Sequence, residues 1–521
     1  MKEQLEQIRQ QALSAMDAAR DAAEIVYPYC TECIIEKSAP YQGEGGAKPL
    51  HQFVEQAGDS AVFVDDDSLV KIHVHTADPG RVLTEALRYG SLLTVKVENM
   101  RQQHSELLEQ PAPADVDGLA CIHPDASSKT GYTVDPEELQ THLPLLEINT
   151  GGQEIPGAPY YAEGKQNTQY TLSDAGETTI RCRLKVRDHG DLHMLAEEPD
   201  LASDALIRIR GNSSRWFDKK SFALRTVNEY GEEDAQELLG MEKHDSWVLH
   251  GPFLDKTLMR NYLGMNISGE IMDYTPDVRF CELVLDGEYQ GVYVLMETVS
   301  RGKGRIDIRG PREETNTTGY IVQFDTDTEQ QPNALDNFTS YTCVLKKNAQ
   351  LLVEYPGKSK LTPALKDFIE RDVSTVERAL YSYDYDSELY GYYNDFDVGE
   401  FAYYFLLMEL FEMHDTGNLS TYYYRDVGGK LKPCVWDFNN CSGNYSINIE
   451  DDYSIRKFVT VQAPWFWMMC KDEKFTDTVI RRYSELRKGL LSDQAMENFI
   501  DGTLDYLGPA IDRNYAVWGY S

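Results

Sequence analysis

The fold of this chain turns on residues 401–440, FAYYFLLMELFEMHDTGNLSTYYYRDVGGKLKPCVWDFNN. The segment Val398–Met413, with its apolar run Phe401–Met413, predicts a buried helix ending at His414–Asp415. Leu419–Arg425 follows as a strand with a polar head. Gly428–Gly429 turns the chain back through Leu431 to Val435–Trp436–Asp437–Phe438–Asn439. Asp415 and Asp437 therefore stand at the two ends of one hairpin, which can bring both carboxylates to a single cleft.

Transfer of a phosphoryl group from a nucleotide to a hydroxyl needs two carboxylates. One positions or deprotonates the acceptor, and the other holds Mg²⁺ on the phosphates. Asp415 and Asp437 are candidates for those roles; by spacing alone, both could equally cap turns.

Upstream, Ile207–Arg210 reads as a strand entering the small-residue turn Gly211–Asn212–Ser213–Ser214, a type of turn whose backbone N–H groups can cradle phosphate. Lys219–Arg225 reads as the next strand and puts Lys219 and Lys220 on opposite faces, so one can point into a phosphate cleft; two solvated lysines is the other reading. A helix is expected over Leu254–Ile271. A hairpin follows, with strands Val278–Leu285 and Tyr289–Met296 joined at Asp286–Gly287–Glu288. This order is that of a protein-kinase N-lobe, and Tyr293–Thr298 falls where a kinase chain crosses between lobes, with backbone at Met296 and Glu297 to hold adenine. Asp325, after the strand Tyr320–Phe324, is either a prop of the cleft or a turn residue. Arg260–Asn261 reads as a cleft brace or a buried polar bridge. Trp247, Trp436 and Trp465 read as core or ledge aromatics. From Leu361 to the end the pattern is mostly helical, including Phe475–Leu491.

The first third is different. Residues 1–27 read as one helix with Leu5, Ile8, Leu13 and Met16 at helical spacing. Residues 28–112 read as a small α/β domain: strand Ser68–His75, helix Arg81–Tyr89 after Asp78–Pro79–Gly80, and strand Leu92–Val97. Residues 113–142 form a linker. His73 and His75 alternate on one strand and so share a face. With Cys30 they make a donor set suited to Zn²⁺ with a fourth position open; a merely polar face is the plain alternative. Cys33 either assists or is a small buried residue.

The chain has 521 residues, enough for two or three domains. Its net charge of −36 repels phosphate backbones and anionic lipid, which discounts nucleic acid and membrane surfaces and suits a basic protein or peptide substrate, or simply solubility. No run of about 18 apolar residues is present, so no membrane span is expected. The 9 scattered cysteines and the polar start favour a cytoplasmic protein with reduced thiols.

Two resemblances follow from these motifs. Tyr29–Cys30–Thr31–Glu32, Gly58–Asp59–Ser60, Lys71–Gly80 and Glu98–His104 together resemble the middle domain of bacterial fatty acid kinase (FakA) and its dihydroxyacetone-kinase-related relatives. That resemblance implies zinc on Cys30, His73 and His75. Leu143–Thr150, Arg210–Ser214, Lys219–Phe222, Leu238–Met241, Trp247–Leu249, Asp255–Lys256, Arg260–Asn261, Gly287–Tyr293, Asp415, Ser420–Tyr422 and Trp436–Asn439 resemble the CotH (spore coat protein H) kinase family over about residues 143–520.

The second resemblance implies an α+β, two-lobed, protein-kinase-like domain over 206–521 with a β-rich lead-in over 143–205. It implies ATP with Mg²⁺ or Mn²⁺, and phosphorylation of Ser or Thr hydroxyls. Asp415 would be catalytic and Asp437 the Mg²⁺ ligand, with Ser420 and Asn418 near the metal. Lys220 or Lys219 would contact phosphate, Lys220 being preferred. Arg210, Ser213, Met296, Glu297 and Asn439 would border the nucleotide. Ser420 stands where many kinases place a metal-binding Asn, and Asn439 where some relatives carry Asp. A pseudokinase or scaffold, nucleotidyl transfer and small-molecule phosphorylation are the alternative readings.

Overall fold

The computed structural model describes residues 29–43, 46–99, 129–161, 168–326, 331–342, 349–417, 419–444 and 458–519. The expected helix 1–27, most of the linker, Asn418 and the side chain of Cys30 lie outside the described residues. The chain divides into two compact units, Met1–Leu119 and Ala120–Ser521.

In the first unit, β1 (Tyr29–Lys37), β2 (Gly58–Asp65), β3 (Leu69–Thr76) and β4 (Gly90–Asn99) form a sheet in the order β2-β3-β1-β4. Every pairing is antiparallel. The strand–helix–strand succession from β3 to β4 was expected to give an α/β sheet, but β1 is inserted between the two, producing a split βαβ unit. Helices Lys48–Ala57 and Pro79–Ala86 cover one face. The second helix starts cleanly because Pro79 is pre-set for a first turn and Asp78 Oδ1 accepts from Arg81 N at 3.0 Å. Val70, Ile72 and Val74 of β3 are buried, whereas Lys71, His73 and His75 occupy the other face.

The second unit begins with a closed barrel. Its elements are β5 (Leu145–Asn149), a ribbon of β6 (Pro159–Tyr160) and β7 (Gln169–Tyr170), β8 (Ile180–Arg187), β9 (Leu201–Arg210), β10 (Ser221–Val227), a ribbon of β11 (Gln236–Leu238) and β12 (Met241–His244), β13 (Ser246–His250), β14 (Val278–Leu285) and β15 (Glu288–Glu297). The barrel order is β10-β13-β15-β14-β5-β8-β9, closing on β10. β5 lies parallel to β14 and antiparallel to β8. The lead-in strands β5 and β8 are thus staves of the barrel, and residue 206 falls inside β9. Leu146, Leu184, Ile207, Trp247 and Tyr293 belong to the buried core cluster of this barrel. The β14–β15 hairpin closes at Asp286 and Gly287, both with positive φ (+48° and +79°), the pair a right-twisted two-residue turn requires.

Helix Arg260–Gly269 starts later than the pattern predicts. Asp255 accepts from Thr257 N at 3.1 Å and Arg260 N at 2.8 Å, and Leu258 sits at φ +64°, so residues 255–259 are held as a turn. Beyond it, β16 (Tyr320–Thr326), β17 (Ala349–Tyr355), β18 (Thr421–Arg425) and β19 (Lys432–Cys434) form a sheet in the order β17-β16-β18-β19. Helix Val398–Leu410 is apolar nearly all round and is buried accordingly, with Phe401, Tyr404, Leu407 and Met408 in the core. Its end at Leu410 precedes Glu412, whose φ of +49° stops the helix short of Met413. Helices Pro363–Tyr381, Glu473–Leu486, Asp493–Leu507 and Pro509–Trp518 complete the lobe.

The last of these returns to the barrel. Arg513 reaches the fully buried Glu282 of β14 through two contacts, 3.0 and 2.7 Å, and Trp518 Nε1 donates to Gln290 O at 2.8 Å. Among the described residues no helix is long and apolar enough to cross a membrane.

Candidate active-site cleft

A cleft of about 540 Å³ opens between the barrel and the helical lobe. Its barrel wall is Arg208 and Arg210 from β9, the turn Gly211–Arg215, and His250 from the end of β13. The facing wall carries Asp325, Glu354, Asp415, Ser420, Asp437 and Asn439. The hairpin reading of residues 415–439 thus does bring its two aspartates into one cleft.

Asp437 is held in the left-handed region at φ +64°, ψ +51°, at the start of the short helical turn Phe438–Asn440. Ser420 is likewise left-handed at φ +49°. Non-glycine residues adopt that conformation only when the surroundings impose it. Burial pushes the Asp437 carboxyl up to about 6; Arg210 opposes this, the charges of Asp415 and Asp325 add to it, and a hydrogen bond from Ser420 lowers it again. A half-buried carboxylate among other carboxylates is short of positive charge, which is the condition a bound divalent cation relieves. Asn439 Oδ1 is buried with no partner among the described residues, its amide nitrogen being spent on Asn440 Oδ1 at 2.9 Å. Asp437, Asp415, Ser420 and Asn439 are all oxygen donors, the set a hard cation such as Mg²⁺ takes.

The opposite wall is cationic. Arg208, Arg210 and Arg215 make no salt bridge among the described residues, and burial followed by the charge of neighbouring arginines lowers the pKa of Arg208 and Arg215. The Arg210 guanidinium lies 5.8 Å over the Trp436 ring, the ledge immediately before Asp437. Arg215 braces the turn, donating to Gly211 O at 2.6 Å and Gly157 O at 3.0 Å.

Phe438 couples Asp437 to helix Arg260–Gly269. A Cβ on Gly264 would stand 2.3 Å from the Phe438 ring, so only glycine permits this approach. Arg260 adds a second tie, donating to Cys441 O at 3.1 Å while holding Asp255 at 2.6 Å.

The profile described as "CotH kinase protein" matches residues 207–521, three-fifths of the chain. The chain belongs to the CotH kinase protein family. A second profile, that of the FakA-like middle domain of fatty acid kinase, matches residues 26–107. Among curated proteins, chains named "Uncharacterized protein" from Staphylococcus aureus strains USA300, NCTC 8325 and N315 are each 38% identical over 167 residues, 31% of this chain and 27% of theirs. The chain thus spans about a quarter of the length of these relatives.

In this member of the CotH family, several expected contacts stand elsewhere. Lys219 is 1% exposed, and its Nζ donates to Val292 O at 2.7 Å and Asn514 Oδ1 at 2.6 Å. It fastens the helix Pro509–Trp518 to the barrel and does not line the cleft. Lys220 Nζ donates to Arg215 O at 2.8 Å and props the phosphate-type turn from behind. Met296 and Glu297 are buried in β15 and border no part of the cleft; the Glu297 carboxylate accepts from Asp277 N at 3.1 Å and faces Arg305 at 3.5 Å. Arg210, Ser213, Ser420 and Asn439 do line it. Arg208, Arg215 and His250 escaped the sequence reading. Arg208 and Arg210 carried a usable signal, two arginines alternating on one strand face directly before a small-residue turn.

In the FakA-like unit, His73 and His75 share a face with ring centroids 5.2 Å apart. The register sets Cys30 opposite His75 and Glu32 opposite His73. His73 Nδ1 and Glu32 Oε1 are 2.9 Å apart, and this hydrogen bond is the main reason the Glu32 carboxyl sits below the usual range. A carboxylate on the outer nitrogen of an imidazole fixes the ring as a metal ligand, so the donor chemistry fits zinc. Cys33 is paired with Ile72 on the buried face, away from the two imidazoles, and burial pushes its thiol up to about 11.

Proposed function

We propose that this CotH kinase transfers the γ-phosphate of ATP to a Ser or Thr hydroxyl of a protein or peptide, with Mg²⁺ or Mn²⁺. The observation that carries the reading is the cleft in which Asp415 and Asp437 face three arginines that form no salt bridge among the described residues. Asp437, Ser420 and Asn439, with Asn418, would hold the metal, which when bound neutralises charge on the phosphates. Asp415 orients the acceptor hydroxyl and takes its proton as the oxygen attacks the γ-phosphorus and the bond to ADP breaks. Arg210 and Arg208 face the equatorial oxygens, where negative charge develops. The Gly211–Ser214 turn offers backbone N–H groups to the phosphate chain.

The acidic chain, at −36, favours a basic acceptor. The free, buried Cys182, Cys281, Cys434 and Cys441 suit a reducing compartment such as the cytoplasm. In the FakA-like unit we assign zinc to Cys30, His73 and His75. Incubation with γ-labelled ATP and Mg²⁺ is expected to label the protein or an added basic protein, and Asp437→Ala to abolish that label. Equal label in wild type and variant would overturn the proposal.

A further inference from the structure

His250 closes β13 opposite Val294 of β15 and is only 8% exposed, yet its ring lines the cleft. Nε2 is fully buried, and neither ring nitrogen has a hydrogen-bond partner among the described residues. Its charged neighbours are Arg210 and Lys219; burial first, then these two charges, push its pKa down to about 3. The ring is therefore an uncharged imidazole with one N–H and one lone pair, both unused by the fold. A buried polar group left without a partner is a standing cost that an apolar side chain of similar shape would remove. Asn439 Oδ1 on the facing wall is in the same condition.

The surroundings define the missing ligand. Arg210 and the Gly211–Ser214 turn border the same cavity, and the other charged neighbour is a second cationic side chain, Lys219. A donor among cations suits an anionic oxygen. Lys219 itself points to Asn514 and Val292, so it leaves that part of the wall without a lysine donor. We propose that His250 is a nucleotide-binding residue whose ring N–H donates to a phosphate oxygen of the ATP chain beside Arg210. This rests on the reading of the cleft as an ATP site.

The test is calorimetric titration of the full chain with ATP, ADP and adenosine in Mg²⁺, alongside the unfolding temperature without ligand, for wild type, His250→Leu and His250→Gln. His250→Leu is expected to weaken ATP and ADP about tenfold or more and leave adenosine unchanged, with an unliganded unfolding temperature equal to or above wild type. His250→Gln, which keeps a donor, is expected to stay within about threefold of wild type. Wild-type ATP affinity in His250→Leu would overturn the inference alone. A loss that extends to adenosine would overturn the phosphate contact, and a lowered unfolding temperature in both variants would make the residue structural. A wild-type protein that binds no ATP would overturn the ATP-site reading itself.

Discussion

Ser420 stands beside Asp437 in the cleft, and both residues hold left-handed backbone, φ +49° and +64°. The surrounding fold imposes both conformations, and with them the place of Asp437 in the cleft. Burial, with the charges of Asp415 and Asp325 adding to it, raises the proton affinity of Asp437 to about 6. The folded value exceeds that of an exposed aspartate. The stability tied to this group is therefore complete below the unfolded value near 4 and is lost as pH rises through about 6. Asp437→Asn is expected to raise stability at pH 7 by about 1–2 kcal/mol while abolishing transfer. Denaturant titrations at pH 4 and pH 7 check this, since the gain disappears at pH 4.

Metal affinity follows from the same group. A proton and a divalent cation compete for Asp437, so Mg²⁺ binding is expected to weaken as pH falls below about 6, and less so in Asp437→Asn, which has no proton to compete. Mn²⁺ titration followed by its paramagnetic signal measures both.

The two lysines and Arg210 are expected to separate cleanly. Lys219→Met leaves Val292 O without its buried donor and is expected to cost about 2–3 kcal/mol of stability. Arg210→Ala is expected to lower kcat about 10²–10³-fold with stability within about 1 kcal/mol of wild type. Chemical denaturation and initial rates on the two variants distinguish a fastener from a cleft cation.

Gly264→Ala puts a methyl into the Phe438 ring and is expected to cost about 1–3 kcal/mol. Because Phe438 opens the short turn carrying Asn439, metal affinity is expected to fall with it. An alanine variant with unchanged stability and metal binding would show that the helix and Asp437 are not coupled.

Zinc content of the FakA-like unit is expected to be lost in Cys30→Ser and His75→Ala. Glu32→Gln, which weakens the hold on His73, is expected to lower affinity about 10–100-fold. Elemental analysis after dialysis against graded chelator reads each.

Features governed by local chemistry were legible in the sequence. The Asp286–Gly287 turn announced the β14–β15 hairpin, and a helix apolar on every side announced the buried segment Val398–Leu410. The alternation of His73 and His75 gave their common face. What required distant partners was not legible. Nothing near Lys219 says that Asn514 will claim it, and nothing near Leu145 says that β5 will pair in parallel with β14 and close a barrel. Met296 and Glu297 followed a kinase-lobe analogy that the barrel wall displaced. His250 carried no signal in the sequence, and only its surroundings reveal that its ring has no hydrogen-bond partner among the described residues.

Phosphoryl transfer at the Asp415–Asp437 cleft is tested most directly by intact-protein mass spectrometry after incubation with ATP and Mg²⁺, on the chain and on added basic proteins. Wild type is expected to add phosphoryl groups to Ser or Thr, and Asp415→Ala and Asp437→Ala to add none. Addition of a nucleotidyl mass, or the same phosphoryl mass in wild type and both variants, would contradict this assignment.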